Sequence, residues 1–153
     1  MNSSLFITIL SGVTVFIVGQ IIMKCALEPY VAFKEQTGKI SSLLLREQAK
    51  ITNGNANNEL VFALKEAAAL LIAKSKAIPC YSSFSTTGLL PPYNKVIEAA
   101  QYLNLIASKL EQYTSPITSA PDSVKMAALK SFQVYFSKIS DNLNIVVTYE
   151  IKP

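Results

Sequence analysis

Residues 5–23 read LFITILSGVTVFIVGQIIM, and this apolar stretch decides how the rest of the chain is interpreted. It contains no charged side chain, and every Lys, Arg, Asp and Glu of the protein follows it. A helix rises about 1.5 Å per residue, so this stretch would be roughly 28 Å long, close to the hydrocarbon thickness of a bilayer. The sequence therefore predicts a transmembrane helix within residues 1–28, followed by a small polar domain.

A cleaved secretory signal is the alternative explanation for an apolar stretch near the N-terminus. Such a signal has a basic n-region, a shorter apolar core and a cleavage site made of small residues. In this chain Met1–Ser4 carries no cation, the apolar core is long, and Lys24–Pro29 contains no Ala-x-Ala pattern. These features favour a retained span over a cleaved signal.

The cations beside the span set its expected orientation. They all follow it and none precedes it: Lys24, Lys34, Lys39, Arg46 and Lys50. The cytoplasmic side of a membrane helix is the side rich in Lys and Arg. We therefore expect the N-terminus outside the cell membrane and the rest of the chain in the cytoplasm.

The predicted span has one face made of small and polar residues. At about 100° per residue, five of them fall on an arc roughly 100° wide: Ser4, Thr8, Ser11, Gly12 and Gly19. Gln20 adds an amide near the cytoplasmic end. Small residues let helix backbones approach closely, and hydroxyls can hydrogen-bond across such a contact. We interpret these six residues as a face for association into a homo-oligomer, or as one wall of a narrow pore. The alternative is that they are the ordinary small-residue content of a single-pass helix.

Residues 29–144 are predicted to form a cytoplasmic helical bundle. Pro29 disfavours helix at Glu28, so we expect a break or kink there that serves as a hinge at the membrane surface. Apolar residues at helical spacing predict four further helices, which cover residues 30–51, 59–77, 93–113 and 121–143. Residues 52–58, 80–92 and 114–120 are expected to be loops. The predicted fold class is all-α, with one N-terminal transmembrane helix followed by a small cytoplasmic bundle.

Residues 145–153 are predicted to be an extended C-terminal tail. The segment Ile145–Ile151 is β-branched and aromatic, which is typical of extended chain or of an edge strand. The sequence offers no obvious partner strand, so an edge strand would have to pair with another protein.

The chain lacks the residues that most enzymes use. It has no histidine, no phosphate-binding or dinucleotide-binding glycine motif, and no close pair of carboxylates. With two cysteines and no histidine, a structural zinc site is not expected. We predict neither enzyme activity nor a cofactor.

The net charge of +4 is spread over helices that carry both signs, which is typical of solvated surfaces. Nucleic-acid binding would require a denser basic stripe with aromatic platforms. Membrane lipid is therefore the expected partner, and nucleic acid is not.

Several short motifs resemble a group of small bacterial inner-membrane proteins that have one N-terminal span and a short helical cytoplasmic domain. The motifs are Gly19-Gln20-Ile21, Leu27-Glu28-Pro29, Ala77-Ile78-Pro79, Leu90-Pro91-Pro92 and Glu98-Ala99-Ala100. Some similar proteins act in antiphage defence: they assemble when a phage component appears and permeabilise the membrane, so that the infected cell dies. The resemblance implies an inner-membrane protein with its N-terminus in the periplasm, a homo-oligomeric active form and a cytosolic protein trigger. It implies no catalytic residues.

A membrane-tethered adaptor or scaffold is the alternative function. In that interpretation the span only localises the domain, and a helical face or the Ile145–Ile151 tail binds a cytosolic protein. Replacing the span by an unrelated one separates the two, because an adaptor would keep its function and an assembling span would not.

Overall fold

The computed structural model describes residues 2–55, 57–114 and 122–149, and within these ranges the chain is all-helical, as predicted. Side chains are described for residues 3–55, 57–112 and 130–149. The elements are α1 (Asn2–Ile22), a π-helical turn (Met23–Leu27), α2 (Glu28–Thr52), α3 (Asn58–Lys76), α4 (Tyr81–Thr86), α5 (Tyr93–Thr114) and α6 (Asp122–Leu143).

α1, the π-helical turn and α2 form one helix from Ser3 to Thr52, 50 residues long. Its first part is long and apolar enough to span a membrane, and none of that part is buried against the rest of the protein. Its second part, α2, buries Phe33, Ile40, Leu44 and Ile51 in the core of the bundle. One helix therefore belongs to both the predicted span and the bundle.

The break expected at Pro29 is wrong, because the helix continues through this residue. Glu28 has helical angles, φ −59° and ψ −48°, and its N–H bonds to the carbonyl of Met23, five residues earlier. In a straight α-helix a proline ring clashes with the carbonyl four residues before it, which here belongs to Cys25. The wider π-helical turn lies over that position and provides a physical reason why the helix is not interrupted. A hinge role for Pro29 stays a prediction.

Local capping explains the sharp turn between α2 and α3. Gly54 lies in the left-handed region at φ 66°. Its N–H bonds to Ile51 O at 3.1 Å, and the N–H of Asn55 bonds to Lys50 O at 2.9 Å. This is the glycine-dependent Schellman ending of a helix. α3 then begins with the Asn57 side chain, which accepts a 3.0 Å bond from the Leu60 N–H.

The core lies between α2, α3, α5 and α6, with α5 packed against both α3 and α6. The predicted apolar stripes are largely confirmed, because nearly all of their described members are buried. Leu43, Ile97 and Tyr135 are only half-buried, and the predicted core residues Val124 and Ala128 lie outside the described side chains. The predicted loop 114–120 is wrong at Thr114, which is the last residue of α5, and its residues 115–120 and the helix start at Pro121 lie outside the described residues.

Two segments have structure that the sequence did not predict: the expected loop 80–92 and the described part of the expected tail 145–153. Residues 80–92 contain the short helix α4, which the sequence interpretation missed. Residues 145–149 form no strand, but Val147 is buried in the core and the Ser41 hydroxyl donates a hydrogen bond to the Val146 carbonyl. Residues 150–153 of the predicted tail lie outside the described part of the chain.

Candidate membrane-association site

The predicted association face lies on a helix that no other described part of the chain covers. Every described side chain from Ser3 to Ile22 is exposed, including the large apolar ones such as Val15, which is 72% exposed. The structure therefore brings Ser4, Thr8, Ser11, Gly12 and Gly19 together along one side of α1. Gln20 lies beside that arc, about 80° around the helix from Gly12.

The arc is not made of small residues alone. By the same helical geometry, Val15 and Ile22 also lie on it, between and beyond the glycines. Thr8, Gly12, Val15, Gly19 and Ile22 then follow one another at alternating spacings of four and three residues. Such spacing is the heptad pattern that lets two helices pack side by side over several turns.

The hydroxyls of α1 already have partners within their own helix. Thr8 Oγ1 donates to Ser4 O at 2.9 Å, and Ser11 Oγ donates to Thr8 O at 3.0 Å. Thr14, about 60° around the helix from Ser11, donates to Leu10 O at 2.9 Å. These side chains can therefore lie in lipid without a second helix, and close packing at glycine is the stronger argument for association.

Gly12 and Gly19 have open space around them. A methyl group built on either residue meets no other described part of the chain within 4 Å. Neither glycine is thus required by packing inside this protein. We therefore expect a larger residue there to obstruct a partner helix and not the fold of this chain.

The cations expected beside the membrane spread along α2. Lys24 lies in the π-helical turn, but Arg46 and Lys50 lie more than about 30 Å farther along the same helix. Both contact the Glu47 carboxylate, at 2.9 and 2.7 Å. Hydrogen bonds from Lys50 and then from Arg46 lower the pKa of Glu47. Arg46 and Lys50 are therefore too far from Lys24 to form one group of cations with it, because α2 continues the same helix.

An apolar groove lies where the predicted span enters the bundle. Its volume is about 350 Å³. The long helix supplies one wall and the α4 region supplies the other, so the lining residues are Ile22, Met23, Ala26, Leu27, Tyr30, Phe84 and Leu89. The sequence interpretation treated residues 80–92 as a loop and did not join them to the span.

Aromatic contacts hold the α4 region against the long helix. Tyr30 stacks on Phe84 with ring centroids 6.2 Å apart, and Phe33 meets Tyr81 edge to face at 6.3 Å. The Tyr81 hydroxyl donates to Pro91 O at 2.8 Å. Burial, and then the neighbouring Tyr93, raises the pKa of Tyr81 to about 12. These contacts hold the two walls of the groove in place.

A local signal in the sequence could have located α4. Gly88 lies at φ 76°, its N–H bonds to Ser85 O, and the Leu89 N–H bonds to Phe84 O. This is again a Schellman ending, which commonly joins an apolar residue after the glycine to one in the last helical turn. The spacing of Phe84, Gly88 and Leu89 fits that pattern.

In the described part of the chain, no three of the Cys, Asp and Glu side chains come together as metal ligands. Cys25 and Cys80 are both exposed and unpaired as disulfides. The exposed apolar surface of α1 is therefore the candidate functional site of the described part of the chain. The chain matches no protein-family profile, no curated protein and no solved structure.

Proposed function

We propose that this is a single-span inner-membrane protein that self-assembles through α1 and permeabilises the bilayer, acting as an abortive-infection effector against phage. One observation carries the proposal. α1 is long enough to cross a membrane, its described side chains are exposed on all sides, and both of its glycines lie on one side. The N-terminus lies in the periplasm and the bundle in the cytoplasm. The antiphage role rests on the resemblance to small bacterial membrane proteins.

Packing at the glycines provides the physical basis for assembly. In lipid there is no hydrophobic force between helices, so association depends on close van der Waals contact and on polar contacts. Gly12 and Gly19 are seven residues apart, so both face the same side two turns from each other. When several spans gather on this side, Gln20 stays outside the closest contact, about 80° beyond Gly12, and most of the larger apolar side chains stay in lipid.

The continuous helix provides the coupling between bundle and span. A cytosolic protein such as a phage component binds the bundle in this proposal. Because α2 is both a core helix and the extension of α1, a change in how the bundle is held changes the tilt or rotation of the span. The π-helical turn and Pro29 lie at the junction, where such a change would be absorbed or transmitted.

Leucine at the glycines tests assembly through this face. Gly12→Leu combined with Gly19→Leu should lower both oligomer size in mild detergent and dye leakage from induced cells. Each loss of about 1.4 kcal/mol of association energy weakens assembly about tenfold. Thr14→Leu is the matched control, because it places the same side chain about 140–160° around α1 from the two glycines and should leave leakage unchanged. Equal leakage from the wild type, the double glycine variant and Thr14→Leu would contradict assembly through the glycine face.

A membrane-tethered adaptor is the second candidate, and one observation favours it. The Thr8 and Ser11 hydroxyls are bonded within α1, so the span is stable in lipid as a monomer. Replacing α1 with an unrelated apolar span of equal length distinguishes the two functions. Retained activity with the foreign span indicates an adaptor, and loss of leakage with normal membrane insertion indicates an assembling span.

A further inference from the structure

The end of the bundle that faces the predicted membrane has an unusual composition. Residues 77–94, AIPCYSSFSTTGLLPPYN, contain no charged side chain; they begin directly after α3 and cover all of α4 and the start of α5. The nearest charges on either side are all cations: Lys74 and Lys76 before the segment and Lys95 after it. No other stretch beyond residue 28 is uncharged for as long.

The groove places this uncharged segment at the level of the membrane surface. Phe84 and Leu89 line it together with Ile22 and Met23, the last two residues of the apolar stretch 5–23. Leu89 is 50% exposed there, although it is a large apolar side chain. If α1 fills the hydrocarbon layer, its end lies at the boundary with the headgroups, and so do Phe84 and Leu89.

The chemistry around the groove fits a phospholipid bilayer. Tyrosine is enriched at the headgroup level, and Tyr30, Tyr81 and Tyr93 lie in or beside the aromatic contacts of this end. Lys34 Nζ lies 5.8 Å from the centre of the Tyr30 ring, next to the groove. The acidic residue nearest in sequence to the groove lining is the exposed Glu28. Lysines around an uncharged apolar surface attract anionic headgroups.

We propose that the α4 segment is a second membrane contact, in which residues 77–94 lie in the headgroup layer of the same bilayer and lipid chains fill the groove. This inference rests on the proposed insertion of α1, but not on its assembly. It gives the protein a fixed pose: the bundle lies with its α4 end on the membrane and its α2–α3 turn directed away from it. A second copy of the chain is the competing occupant of the groove.

Lipid quenching of site-specific fluorescent labels tests the contact in the full-length protein. Cys25 and Cys80 are replaced by serine, and single cysteines are introduced by Leu89→Cys, Val13→Cys or Phe62→Cys and labelled with an environment-sensitive dye. Phe62 is the matched control, because it is also an exposed apolar residue but lies near the start of α3, at the far end of the bundle. The vesicles contain phosphatidylcholine, phosphatidylglycerol and a spin-labelled lipid, at a high lipid-to-protein ratio.

Strong quenching at Val13 and Leu89 with little at Phe62 is the expected result. Quenching at Leu89 should exceed that at Phe62 at least about threefold, since interfacial segments lie about 5–10 Å into the headgroup boundary. Replacing phosphatidylglycerol with phosphatidylcholine should reduce the Leu89 signal and leave Val13 unchanged.

The other outcomes overturn the inference in distinguishable ways. If Val13 is quenched and Leu89 behaves like Phe62, the span is inserted but the second contact is absent. If Leu89 is shielded from both the lipid quencher and aqueous iodide, a second copy covers the groove. If Val13 is not quenched, α1 is not inserted, and the proposed function fails together with the inference.

Discussion

Gly88 and Gly38 differ in backbone conformation although both have room for a side chain. A methyl group on either one meets no described atom within 4 Å beyond its own helix and neighbours. Gly88, however, lies at φ 76°, while Gly38 lies inside α2. The free energy of a substitution at these positions is therefore decided by the backbone and not by packing.

Alanine at these two glycines should shift stability in opposite directions. Gly88→Ala should destabilise the bundle by about 1 kcal/mol, because a residue with a Cβ resists the left-handed conformation. Gly38→Ala should stabilise it by about 0.5–1 kcal/mol through helix propensity. Thermal unfolding followed by circular dichroism in detergent measures both. Equal effects at the two positions would contradict the assignment of Gly88 as a helix cap.

The raised pKa of Tyr81 predicts that the folded protein loses stability at alkaline pH. Its pKa is about 12 in the folded protein, whereas an unfolded tyrosine ionises near pH 10. Because the folded pKa is raised, the stability it contributes is complete below about pH 10 and is lost as the pH rises toward 12. Tyr81→Phe should unfold at a lower temperature than the wild type at pH 8. The difference between the two unfolding temperatures should be smaller at about pH 11. Tyr149→Phe, at an exposed position, is the control, and its unfolding temperature should equal that of the wild type at both pH values.

At the scale of elements, the junction between α1 and α2 is where sequence rules misled most. Proline predicted a break, and the chain instead keeps its helix with a π-helical turn before Pro29. The rule concerns a regular α-helix, and it does not foresee a bonding pattern that widens one turn. By contrast, the caps at Asn57 and Gly54 follow from residues that are local to them.

Pro29→Ala tests whether the proline causes the π-helical turn. Alanine restores an N–H at residue 29 and removes the ring, so regular α-helical bonding should extend across residues 23–29. Hydrogen exchange of the backbone amides there should become slower. Pro79→Ala, which lies between α3 and α4, is the control and should leave exchange at residues 23–29 unchanged. Unchanged exchange in Pro29→Ala would mean that the turn has another cause.

At the scale of the whole molecule, the core and the predicted span are separate. The buried core begins at Phe33, and every described residue from Ser3 to Cys25 is exposed. The bundle therefore derives its stability from α2, α3, α5 and α6. The proposed insertion of α1 would therefore depend on lipid and not on the bundle.

Leu103→Ala should destabilise the bundle without releasing the protein from the membrane in which α1 is proposed to lie. Leu103 is fully buried, so its truncation should cost about 2–5 kcal/mol, a large share of the roughly 5–15 kcal/mol that stabilises a small domain. Leu105→Ala, exposed on the same helix, is the control and should cost under about 1 kcal/mol. Thermal unfolding measures the first effect and carbonate extraction of membranes the second. Release of Leu103→Ala into the soluble fraction would contradict independent insertion.

The sequence by itself determined the all-helical class, the long apolar helix and most of the core stripes, because these follow from runs and periods within each segment. Only the tertiary structure placed Phe84 and Leu89 against Ile22 and Met23, since that contact joins residues about sixty positions apart. Only the fold returned Val147 to the core, where Ser41 binds the neighbouring carbonyl. Local pattern records which side of an element is apolar, whereas the partner of that side depends on how all the helices pack together.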